Sequence, residues 1–251
     1  MSPRHLDLPL EGPLFDHGAS LSVQVHGHFG RPVIVFPSEA GRAWDFADNG
    51  MVDAVGDLVE AGRVKLYCVD SLDAFSWSDR DVDVEERARR HGAYHHWVVT
   101  RLLPFVADDS DGAEPLALGC SMGAYHAVHL ALQRPDLVPL AIGLSGNYDV
   151  ERWRAWGPPG EATYFANPTA YVANLHGDHL DWLREHVSLL LVVGQGAWEV
   201  DPTGSLPSTR AFADLLADKG IRHELDVWGH DAAHDWPWWQ RQLAHHLPRF
   251  C

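Results

Sequence analysis

The sequence predicts an α/β domain: a mostly parallel, doubly wound sheet with helices on both faces. Three observations predict it. Short, β-branched apolar runs alternate with longer helical patterns along the 251 residues, the order that builds parallel sheets. The runs are apolar throughout rather than every second residue, as strands covered on both faces require. A composition of 46% hydrophobic and 22% charged residues can fill one large core, so the chain reads as a single domain over 1–251.

The strand candidates, in order, are LSVQVHG near residue 21, PVIVF at 32–36, VKLYCVD at 64–70, PLALG at 115–119, LVPLAIGLS at 137–145, VSLLLVVG at 187–194 and RHELDVWG at 222–229. Helical patterns fill the gaps at 44–61, 84–106, 122–134, 207–219 and 236–248. Pro207 and Ser208 open the fourth of these and Gly220 follows its end, a matched start and stop. Residues 147–185, rich in Trp, Pro, Gly, Asn and His, break the rhythm. They are expected to form an irregular, lid-like insertion, since long excursions in a compact domain are often binding loops.

Charge narrows the partners. With 19 Lys and Arg against 35 Asp and Glu, the formal charge is −16. Phosphate backbones and anionic membrane surfaces would be repelled, so neither a nucleic acid nor a membrane is expected as partner. No run of about 18 apolar residues offers a membrane span, and no apolar segment at the N-terminus resembles a signal peptide. Three cysteines, Cys68, Cys120 and Cys251, make no disulfide framework. A cytoplasmic protein acting on a small molecule is the expectation, and nothing in the sequence indicates a homo-oligomer.

Gly119-Cys120-Ser121-Met122-Gly123 carries the chemistry. As a bare G-x-S-x-G pentapeptide it is weak, but PLAL before it reads as a strand and AYHAVHLALQ after it as a helix. A sharp strand–turn–helix corner lifts the serine hydroxyl above the carboxyl edge of the sheet and leaves the Met122 backbone N–H free for an oxyanion. Cys120 is expected beneath the corner. A serine hydroxyl needs a base, and the base needs an acid to orient it. In this setting the acid follows the penultimate strand and the base the last one. The loop GQGAWEVDP offers Glu199, with Asp201 as the alternative; GHDAAHDWPWW offers His234, with His230 as the alternative.

GCSMGAYHAVHLAL, LSGNYD, GQGAWE and HDWPWW together resemble the putative-esterase family of α/β-hydrolases, which includes esterase D, enterochelin esterases and mycolyltransferase antigens. FPSEAGRAWDFADNGMVDAV is similar to a bacterial esterase or polyhydroxyalkanoate-depolymerase-like subgroup. The resemblance runs from about residue 20 to the end of the chain. It implies the α/β-hydrolase fold and cofactor-free hydrolysis of carboxylic esters through an acyl-enzyme, with Ser121, Glu199 and His234 as nucleophile, acid and base. An acyltransferase with the same triad and a catalytically silent binding protein are the competing expectations. The resemblance also implies a second oxyanion N–H from the loop after PVIVF, at Ser38 or Glu39. The family often has a glycine- or hydroxyl-rich turn there. This chain has Ser38-Glu39-Ala40-Gly41, and a carboxylate turned inward would oppose the developing charge.

Two residue types are over-represented. The 17 histidines include His26/His28, His126/His129, His176/His179, His230/His234 and His245/His246. None carries a metal-hydrolase signature, so no metal is expected. Of the 11 tryptophans, Trp44, Trp77, Trp153, Trp156 and Trp198 fall in segments that should top the sheet, where ligands bind in α/β folds. Trp44, Trp153, Trp156 and Trp198 are the expected pocket residues, with Trp77 as a further candidate.

Overall fold

In the structure, a computed structural model describing residues 2–153 and 156–251, eight strands form one sheet. They are β1 (Arg4–Pro9), β2 (Ser20–His26), β3 (Arg31–Phe36), β4 (Val64–Val69), β5 (Leu116–Cys120), β6 (Leu140–Leu144), β7 (Ser188–Val193) and β8 (His223–Val227). Their order is β1-β2-β4-β3-β5-β6-β7-β8. β1, β2 and β4 pair antiparallel; every pairing from β4 through β3 to β8 is parallel. β1 is the strand absent from the sequence reading. It is an edge strand with no buried residue, so the sequence gives it no apolar run to be seen by.

The helices are α1 (Asp45–Asp48), α2 (Met51–Ala54), α3 (Gly56–Glu60), α4 (Val84–Trp97), α5 (Leu103–Asp109), α6 (Met122–Gln133), α7 (Glu161–Ala166), α8 (Pro168–Asn174), α9 (Gly177–His186), α10 (Ser205–Lys219) and α11 (Trp236–His246). Side chains alternate across each strand, so β3 sends Ile34 and Phe36 into one core layer and Val33 and Val35 into the other. The first layer is closed by residues of α4, α6 and α10, the second by Phe46, Met51, Val55 and Leu58 with Trp239 and Leu243 of α11. This two-sided burial is why β3 to β7 are apolar apart from Arg31, Lys65 and Ser188 at or near their starts, and it yields the predicted α/β-hydrolase architecture.

Three helical expectations change. The helix expected over 44–61 is three short pieces, because Gly50 takes φ 69° and Val55 φ −124°, neither of them helical. The helix over 84–106 passes through a π segment at Val98–Leu102. Pro104, lacking an N–H, removes one helical hydrogen bond there, and a π bulge accommodates the gap. Residues 147–185 are mostly helical rather than irregular. Pro168 occupies the first turn of α8, where its missing N–H is harmless, and Leu180 and Leu183 give α9 an apolar stripe. Residues 147–153 and 156–160 stay irregular apart from a 3₁₀ turn at Val150–Arg152; positions 154 and 155 lie outside the described residues.

Candidate active site

Ser121 stands at the turn between β5 and α6 with φ 57° and ψ −118°. That backbone is unfavourable for a residue with a Cβ and costs about 1–3 kcal/mol, so its surroundings must enforce it. They do. The Ser121 N–H donates to the Leu144 carbonyl of β6 at 2.8 Å. The flanking glycines let the chain cross itself: a Cβ on Gly119 would stand 2.1 Å from the Gly123 carbonyl carbon, and one on Gly123 2.3 Å from the Phe36 carbonyl oxygen. The second approach presses the first turn of α6 against the end of β3 and the start of the 37–41 loop.

The loops after β7 and β8 are laced together. The Gly196 N–H donates to the Ala232 carbonyl at 2.7 Å, and the His234 N–H to the Ala197 carbonyl at 2.9 Å. Gly194 and Gly196 permit this, since a Cβ at either would meet the Ala232 carbonyl oxygen at 2.1 or 2.7 Å. The lacing brings three distant side chains into line. The Ser121 hydroxyl donates to His234 Nε2 at 2.9 Å, and His234 Nδ1–H donates to Glu199 Oε2 at 3.2 Å. An ionised carboxylate only accepts, so it holds the proton on Nδ1 and leaves the Nε2 lone pair for the serine.

Glu199 is fully buried. Its Oε1 accepts from the Ser145 hydroxyl at 2.5 Å and the Gly194 N–H at 3.1 Å. Ser145 in turn accepts from Trp239 Nε1 at 3.1 Å, and the same indole packs edge-on to the His234 ring at 5.0 Å between centroids. Ser145 itself has φ 55° and is anchored through its N–H to the Val192 carbonyl. The Ser205 hydroxyl lies 3.5 Å from His234 Nδ1, a longer second contact. Ser145, Trp239 and Ser205 received no role from the sequence. Ser145 was within reach, because it immediately follows β6, which lies between the serine strand β5 and the strand β7 that precedes Glu199.

The alternatives separate by exposure. His230 and Asp201 are exposed, whereas the His234 side chain is 8% exposed and Glu199 0%. The N–H groups of Ser38, Glu39 and Met122 donate to no group among the described residues. The Glu39 carboxylate accepts from the Ser78 hydroxyl at 2.7 Å, so Ser78 takes part of the charge whose inward turn the sequence left open.

A cleft of about 260 Å³ opens over Ser121, walled by Trp77, Trp153, Arg80, Arg152 and Asn147. Of the expected pocket tryptophans, Trp153 lines it and Trp44, Trp156 and Trp198 do not. Trp44 carries the Arg42 guanidinium on its ring at 4.6 Å. Trp156 is 52% exposed and donates to the Arg80 carbonyl at 3.0 Å. Trp198, at φ 66° and 58% exposed, forms the turn that points the next residue, Glu199, inward. Trp77 is in the wall, edge-to-face with Trp153 at 5.3 Å.

The histidines flagged for spacing scatter. His126 and His129 lie on the buried face of the elbow helix α6, among the rings of His91, His95 and Tyr125. No group of three or more His, Cys, Asp or Glu converges as a metal-ion site among the described residues. No helix of the described residues is long and apolar enough to cross a membrane. Cys68 and Cys120 are buried, which pushes both thiols far up and keeps them protonated.

Residues 38–250 match the family model described as Putative esterase. No curated protein matches the sequence. Several solved structures share the fold. A ferulic acid esterase superposes with a TM-score of 0.71 at 15% identity, over 98% of this chain and 97% of that one. MPT51 (FbpC1) of Mycobacterium tuberculosis does so at 0.73 and 15%, over 99% and 97%. An S-formylglutathione hydrolase from Agrobacterium tumefaciens gives 0.68 and 14%, over 99% and 97%.

Proposed function

The chain belongs to the Putative esterase family and is a serine esterase of the α/β-hydrolase fold, and we propose that it hydrolyses small carboxylic esters through Ser121, His234 and Glu199. The observation that carries this reading is the continuous hydrogen-bonded line from the Ser121 hydroxyl through His234 to a fully buried Glu199. As the Ser121 oxygen attacks the ester carbonyl carbon, His234 Nε2 takes its proton, and Glu199 stabilises the imidazolium. The carbonyl oxygen becomes an oxyanion held by the Met122 N–H and by Ser38 or Glu39, whose N–H groups have no other acceptor among the described residues. His234 then protonates the leaving alcohol. Water, deprotonated by the same imidazole, attacks the acyl-enzyme and releases the acid.

The cleft is small beside the roughly 300–1,000 Å³ of ordinary ligand pockets, which favours short acyl groups. Residues 147–153, with Trp77 across from Trp153, form its roof and set substrate size. The test is a p-nitrophenyl ester series of rising acyl length, run beside fluorophosphonate labelling followed by peptide mapping. Label on Ser121 and fastest turnover at two to four acyl carbons is expected. Label on another residue, or no turnover on any ester, overturns the reading.

A further inference from the structure

Asp73 is a fully buried carboxylate that the esterase chemistry above does not use. It lies in a 3₁₀ turn after β4, Asp73–Phe75. Its side-chain partner is an imidazole: Asp73 Oδ1 accepts from His126 Nε2 at 2.8 Å, on the second turn of α6. Its other oxygen, Oδ2, accepts from the Ala40 backbone N–H at 3.1 Å. One carboxylate thus joins the elbow helix to the loop that carries Ser38 and Glu39.

That loop needs an anchor. The Gly41 N–H donates to the Ser38 carbonyl at 2.9 Å, closing a turn in which Ala40 has φ 54°. Such turns normally place glycine or asparagine at this position, because an L side chain there is strained. Ala40 pays that strain, and the bond from its N–H to Asp73 opposes relaxation. Asp70 secures the far end by accepting from the Ala43 N–H at 2.9 Å, and the Ser71 N–H donates to the Gly41 carbonyl. A buried carboxylate facing an imidazole is often no better for stability than a well-packed apolar pair, and what distinguishes Asp73 is that its two oxygens join α6 to the loop.

We propose that Asp73, braced by His126, is a positioning residue that holds the Ser38–Glu39 N–H groups at the oxyanion site through its bond to Ala40. This rests on the oxyanion assignment above. Asp73 touches no substrate. What it controls is the distance between those N–H groups and Ser121, because His126 and Ser121 are rigidly joined through α6.

A loosened oxyanion donor weakens the transition state more than the bound ester. Asp73→Ala is therefore expected to lower kcat by about 10- to 100-fold, less than outright loss of a donor, with KM within about twofold. Binding of a trifluoromethyl ketone, whose tetrahedral adduct carries the oxyanion, should weaken in the same proportion. Asp73→Asn keeps an acceptor for Ala40 and should restore kcat to within about threefold of the parent enzyme. Rates are referred to sites titrated with fluorophosphonate, so unfolded protein does not count. Amide exchange of the peptide over 37–43 should speed up in Asp73→Ala. If that variant does not fold, His126→Ala, which leaves the carboxylate without its brace, should show the same split at smaller size. Unchanged kcat per titrated site in Asp73→Ala, or a rise in KM alone, overturns the proposal. Loss of titration in the parent enzyme after Ser121→Ala, beside normal kcat in Asp73→Ala, would reject the positioning role and keep the esterase site.

Discussion

The floor and the roof of the cleft are built by different rules. On the floor, the elbow and the loops after β7 and β8 are tied by backbone hydrogen bonds, and glycines permit contacts that any Cβ would block. The strained backbones of Ser121, Ser145 and Trp198 are all there or in the turns beside it. The roof over 147–153 is a loop with a single 3₁₀ turn, and Arg152 in it is 74% exposed. Glycine crossings and strained backbones are concentrated where the proposed chemistry needs atoms held to fractions of an ångström, whereas the roof is held by its buried side chains Tyr148 and Val150 and turns Arg152 to solvent.

The largest break in that contrast comes from the floor. Ser121→Ala and His234→Ala should each reduce ester turnover by about 10⁴-fold or more, because serine and base act as a unit. His230→Ala should stay within a few-fold of the parent. Comparing kcat for the three variants checks this, and a larger loss at His230 than at His234 would move the base.

Ser145→Ala sharpens the comparison within the floor. It removes the 2.5 Å hydrogen bond to Glu199 and the acceptor for Trp239, leaving a buried carboxylate with one partner fewer. A fall in kcat of about tenfold is expected, with KM unchanged. An unaltered kcat would mean that Gly194 alone suffices to orient the acid.

Roof substitutions should be milder and different in kind. Trp153→Ala is expected to raise KM a few-fold and lengthen the preferred acyl chain, with kcat within about threefold, since lost wall contacts are mostly uniform binding. Trp156→Ala, outside the wall, should leave acyl selectivity as it is. An ester panel on both variants distinguishes them, and the opposite ranking would redraw the cleft.

The smallest effect on catalysis, and a measurable one on stability, lies at the buried face of the elbow helix. Burial, and then the neighbouring imidazoles, push His91 and His129 well below the ordinary 6.5 and His95 down to about 4. The folded imidazoles therefore stay neutral in a range where the unfolded chain takes up protons. Stability is unaffected above pH 6.5 and should decline as the pH falls from 6.5 toward about 4. Urea midpoints across this range test it. His91→Phe, which removes one of these groups, should flatten the slope; an unchanged slope would show that carboxylates elsewhere govern acid unfolding.

Much of the molecule was legible because its signals are local. The apolar runs of β3 to β7 follow from burial on both sheet faces, and Gly220 ends α10 at φ 66° because glycine adopts that conformation without strain. Residues 147–185 misled because Pro and Asn punctuation suits both a loop and the starts of short helices. The tryptophans misled for a related reason. A segment's place above the sheet does not say which way an indole turns, and Trp156 and Trp77 turn in opposite senses.

By itself, the sequence determined the sheet, the strand–turn–helix corner at Ser121 and the placing of Glu199 and His234 in the loops after the last two strands, because each depends on patterns within a few residues or on the sequence of strands. The tertiary structure alone decided that Glu199 and not Asp201 faces His234, that Ser145 and Trp239 support that carboxylate, and that Asp73 joins Ala40 to His126. Those partners are separated by 33 to 94 positions. Hydrogen bonds across such separations leave no periodicity in the chain, and they form only where packed strands and glycine crossings bring the groups within about 3 Å.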